Sequence, residues 1–115
     1  MTAPLISSQR YLDAAKVLRK ASRFQVFVVR TTEVEMRGRR YRILLDGHHN
    51  LAAAKMCGVA PTWRGPSNRT LTVMRALGNE AFSRALINNL TDSDWYFVES
   101  GEVVQELLDV ERGVA

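Results

Sequence analysis

The sequence predicts a small α+β domain: a mixed sheet carrying a strand–glycine turn–helix motif. Three observations predict it. Some segments repeat apolar residues at helical spacing, while others are short β-branched and aromatic runs. The stretch 41–58, YRILLDGHHNLAAAKMCG, joins the two kinds of segment through a glycine. The chain has 115 residues, 46% hydrophobic and 24% charged, which suits one packed domain and argues against global disorder.

The elements follow in chain order. Leu5 and Ile6 suggest a short edge strand. Residues 9–21 (QRYLDAAKVLRKA) read as a helix, with Leu12, Ala15, Leu18 and Ala21 at helical spacing and Ser7 or Ser8 as its N-cap. Residues 24–30 (FQVFVVR) read as a buried strand. Residues 31–46 suggest a hairpin that turns at Arg37-Gly38-Arg39 and returns through Tyr41 to Leu45. Gly47 ends that strand, and residues 48–57 have high helix propensity. Gly58 fits a left-handed C-terminal stop, with Pro61 just beyond. Residues 62–69 read as loop, residues 70–77 suit either strand or helix, and residues 78–90 read as helix. Asp92-Ser93-Asp94 marks a turn or cap. Trp95 to Val98 forms a strand or an aromatic plug, and residues 102–111 a last acidic helix.

Charge is split along the chain. Residues 1–75 hold 14 Lys/Arg and 4 Asp/Glu, a net of +10; residues 76–115 hold 2 and 8, a net of −6. A basic body with an acidic C-terminal segment suits a polyanionic partner, or a tail folded back on the basic face; charge balance alone is a weak signal, and two solvated faces of opposite sign are the simpler reading. The lone Cys57 excludes an intramolecular disulfide and a cysteine-rich zinc site. It suits a reducing compartment, so a cytoplasmic protein is expected. Apolar runs fall far short of the roughly 20 residues that span a bilayer, so no membrane partner is expected. MTAPLISSQR lacks the pattern of a secretory signal.

The candidate site is Asp46-Gly47-His48-His49-Asn50. A helix N-terminus offers unpaired N–H groups and a partial positive charge, which suit a phosphate. Gly47 lets backbone approach an anion closely. His48 and His49 add donors that charge near neutral pH, Asn50 can donate and accept, and Asp46 sits at the strand end. Asp-Gly is equally a common turn dipeptide. Adjacent histidines seldom share one ion, so no protein-only metal site is expected. Magnesium carried in on a nucleotide fits better. Arg37, Arg39, Arg40 and Arg42 flank the hairpin turn as a candidate nucleic-acid contact or a solvated tip. Alternation puts Arg40 and Arg42 on one face, opposite Arg39 and Tyr41. Trp63 could stack on a base or close the core.

The segment from Tyr41 to Gly58 resembles the signature of the ParB/sulfiredoxin superfamily. Its Asp-Gly-His-His form is similar to the nuclease-type ParB-like branch and to the related free-serine kinases. Ser8-Gln9, then Val17 and Lys20 in a helix, then Phe24 to Val29, match the order of that branch, so residues 5–62 carry the resemblance. It implies that Gly47, His48, His49 and Asn50 bind nucleotide phosphates, with Gln9 upstream. It implies further that Asp46, His48 and His49 would carry any weak nuclease, phosphohydrolase or phosphotransfer chemistry. Many relatives place Arg where this chain has Asn50, and Asn lacks the two charged bonds of Arg to phosphate. The kinases use a glutamate ahead of the first helix; this chain offers Gln9 in that region, which cannot act as a general base, and Asp13 is the only acid before residue 33. Cys57 lies about 13 Å along the helix from its start, too far for sulfiredoxin chemistry. Residues 63–115 are too short for the DNA-binding and dimerisation parts of a partition protein. The alternative expectation is a non-enzymatic regulator of phage or plasmid type that binds DNA or inhibits a host protein. Oligomeric state is left open.

Overall fold

A computed structural model of the chain describes residues 3–36 and 38–111. The elements are β1 (Leu5–Ser7), α1 (Ala14–Arg23), β2 (Val28–Met36), β3 (Arg39–Asp46), α2 (His48–Cys57), β4 (Thr62–Arg64), α3 (Asn68–Leu77), α4 (Asn79–Asn88), β5 (Tyr96–Phe97) and α5 (Gln105–Glu111). The fold is α+β, with one five-stranded mixed sheet in the order β4-β2-β3-β1-β5. β1 pairs parallel to β3 and antiparallel to β5; β2 pairs antiparallel to β3 and parallel to β4.

The pleat sends alternate residues of β3 to opposite faces. Tyr41 and Ile43 pack with Ile6, Val34, Ile87, Trp95, Val104 and Leu107, so α4 and α5 cover that face. Leu44 packs with Val29 and Leu51 on the other face. Nearby, Val17 of α1 and Phe27 pack with Ala53 and Ala54 of α2. The alanines let α1 lie close against α2. Gly58 stops α2 at φ 69°, its N–H bonding back to Ala54 and Lys55 carbonyls.

Several expectations need correction. α1 starts at Ala14, and its N-cap is Asp13 rather than Ser7 or Ser8, because the Asp13 carboxylate accepts from the N–H groups of Ala15 and Lys16. It buries Val17, while Leu18 is 57% exposed. Leu5 and Ile6 lie in an internal strand, flanked by β3 and β5. The strand expected at 24–30 begins at Val28 and runs through to Met36. The 62–69 loop contains β4, which pairs with β2, and residues 70–77 are helical. Trp63 is 45% exposed and Trp95 is 5% exposed, so Trp95 is the core tryptophan. No helix among the described residues is long and apolar enough to cross a membrane.

Candidate functional site

Asp46 is the last residue of β3, the central strand, and the chain turns into α2 through Gly47 at φ 95° and ψ 26°. The Asp46 carboxylate closes this turn by accepting from the Gly47 N–H at 2.8 Å. Among the described residues, no side chain caps α2. Its first-turn N–H groups are therefore left to solvent or to a ligand.

Residues 7–13 pass in front of this helix start as an extended strap. His48 Nε2 lies 2.8 Å from the buried Ser7 hydroxyl, which also accepts from the Gln9 N–H at 3.0 Å. His49 Nε2 accepts from the Asp13 N–H at 3.1 Å. A backbone N–H can only donate, so His49 is neutral there and carries its proton on Nδ1. The acidic half of the chain fastens the strap. Asp92 accepts from the N–H groups of Arg10 and Tyr11 at 2.7 and 3.2 Å, and the Tyr96 hydroxyl donates to the Gln9 carbonyl at 2.7 Å.

Asn50 faces inward. Its amide donates to the Val28 carbonyl at 2.9 Å, and its Oδ1 is buried without a partner among the described residues. It thus ties α2 to β2 rather than presenting its amide to a ligand. Asp46, Gly47, His48, His49 and Asn50 are adjacent at one helix start, and Gln9 joins them through the Ser7 hydroxyl. Two clefts, of about 740 and 650 Å³, lie elsewhere, and neither is lined by residues 46–50.

The arginine group is dispersed. Arg39 pairs with Glu106 of α5 at 3.4 Å, and Arg40 with Glu33 at 3.5 Å. Arg42 donates through Nε to the Ala3 carbonyl and lies over the Trp63 ring. Arg37 lies outside the described residues. Nothing adjacent in the sequence marks Ser7, Asp13 and Lys16 as neighbours of the histidines. Lys16 and Lys20 are four residues apart on α1, and both act electrostatically on His49. That spacing was the available signal.

Both histidines titrate below the ordinary value of 6.5. For His48 the main cause is burial, opposed by Asp46 and Asp92 and aided by His49. For His49 it is loss of solvent, reinforced by Lys16 and Lys20 and opposed by Asp13. The unfolded chain therefore binds protons first as pH falls below 6.5. Their stabilising contribution is complete above that pH and is lost as pH falls toward the folded values. Melting temperature is expected to decline from pH 7.5 to 5 more steeply for the native chain than for His48→Gln/His49→Gln. Parallel declines would remove the histidines as the cause.

No family model, curated protein or solved structure matches the chain.

Proposed function

We infer that the chain is a ParB/sulfiredoxin-type protein that binds the phosphate groups of a nucleotide at the start of α2. The observation that carries this reading is the α2 N-terminus itself: glycine-led, without a side-chain cap, and bordered by His49. The N–H groups and helix dipole would meet the phosphate oxygens, and the field of Lys16 and Lys20 would add charge attraction. Among the described residues, no group of three or more His, Cys, Asp and Glu comes together, so magnesium would arrive with phosphate and water ligands.

Calorimetric titration with a panel of nucleoside mono-, di- and triphosphates tests this. Saturable binding is expected, weakened at least about tenfold, or about 1.4 kcal/mol, in His49→Ala/Lys16→Ala. No heat and no melting shift across the panel would sink the reading.

A second reading, a non-enzymatic regulator, is favoured by one observation. Asp46, His48 and His49, the candidate acid–base groups, are all bonded within the fold. Nucleotide that binds but is not turned over supports this reading, with a protein or DNA as the onward partner. Hydrolysis that disappears in His48→Ala supports an enzyme.

A further inference from the structure

On the sheet face that carries α2, a cleft of about 650 Å³ opens beside the helix. That volume is in the range of small-molecule sites. Its floor is apolar: Leu51 of the core, with Leu5 and Val98 packed against it. Its walls are cationic and aromatic. Arg42 enters from β3, Lys55 from α2, and Trp63 from β4.

Arg42 is fixed in place. Its backbone N–H donates to the Pro4 carbonyl at 2.9 Å and its Nε to the Ala3 carbonyl at 3.0 Å, while its guanidinium carbon lies 5.3 Å from the centre of the Trp63 ring. Only one edge of the guanidinium is used by these bonds, which leaves terminal N–H donors able to grip a carboxylate in two places. The cross-strand neighbour Glu33 does not neutralise it, because its carboxylate pairs with Arg40. Among the described residues, neither Arg42 nor Lys55 has a carboxylate within ion-pair distance. Glu99 lines the same cleft, so two cations face one acid. A monoanion balances that excess. Trp63, 45% exposed, is a flat apolar surface left facing water at the cleft wall.

We propose that this cleft binds a small organic anion in which one carboxylate or sulfonate is joined to a flat apolar body. The anionic group meets Arg42 and Lys55, and the apolar body covers Leu51 and the Trp63 ring. The site is separate from the α2 N-terminus and does not rest on nucleotide binding.

The test uses 8-anilinonaphthalene-1-sulfonate, read by its fluorescence on the folded 115-residue chain. Its uncharged parent, N-phenyl-1-naphthylamine, serves as the comparison. Saturable binding at one site per chain is expected, at least tenfold tighter for the sulfonate than for the parent. Lys55→Gln and Trp63→Ala, both exposed positions, are each expected to weaken it at least tenfold. Val73→Ala, on the exposed face of α3, is expected to leave it unchanged. No saturable binding, equal affinity for the uncharged parent, or undiminished binding to the Lys55 and Trp63 variants would each overturn the proposal.

Discussion

Gly47→Ala is expected to cost the domain a large part of its stability. The position combines a φ of +95° with a close approach of backbone. A Cβ there would stand 2.6 Å from the Val28 carbonyl oxygen and 3.0 Å from the Val29 Cα. Both are backbone atoms of the strand beneath, so neither can swing aside as a side-chain tip can. The left-handed conformation alone costs a non-glycine residue about 1–3 kcal/mol. The collision adds to that, because β2 and α2 must separate to relieve it. A loss of about 3 kcal/mol or more is expected, against a total of about 5–15 kcal/mol for a domain. The Val28 carbonyl also receives the Asn50 amide, so the displacement strains the bond that holds α2 to the sheet. Gly58→Ala is the comparison: its φ is +69°, but nothing lies within 4 Å of its Cβ. Only the conformational part, about 1–2 kcal/mol, is expected there. Urea unfolding of both variants separates the two causes, and equal losses would refute the steric argument.

The same glycine explains why some of the fold was legible and some was not. α2 was readable to its ends because its signals are local: Gly47 and Gly58 take left-handed conformations, and the intervening residues favour helix. The start of α1 is ambiguous in the sequence because Ser7, Ser8 and Asp13 are all capping residues, and Asp13 takes the role. The strap before it is held extended by Asp92, from the far end of the chain. β4 reads as loop from sequence because its strand character comes from parallel pairing with β2. At the site, the sequence displayed the helix start and the two histidines. It did not display Ser7, Asp13 or Lys16 around them, because those neighbours exist only once β1 and α1 are docked. Asn50 reads as a ligand group from sequence, but the approach of β2 claims its amide.

Trp95→Ala is the second large expected loss, and it connects the two oppositely charged halves. The indole is 5% exposed among Ile6, Tyr41, Ile43, Ile87 and Leu107. Truncating a buried tryptophan costs about 3–5 kcal/mol in lost burial and cavity. Trp95 also donates through Nε1 to the Ile87 carbonyl at 2.8 Å. That carbonyl lies in the last turn of α4, where no helical N–H is left to reach it, so the indole acts as a side-chain cap. Trp95→Phe keeps most of the burial and removes the bond, so about 1–3 kcal/mol is expected there. Trp63→Ala, at an exposed position on the other face, is expected to change stability by at most about 0.5 kcal/mol. Trp95 lies between Asp92 and Tyr96, which hold the strap over His48 and His49. Loss of its anchor is therefore expected to accelerate amide hydrogen exchange at residues 9–13 as well as at 95–104. Acceleration confined to 95–104 would mean that the bonds from Asp92 and Tyr96 do not hold the strap in place.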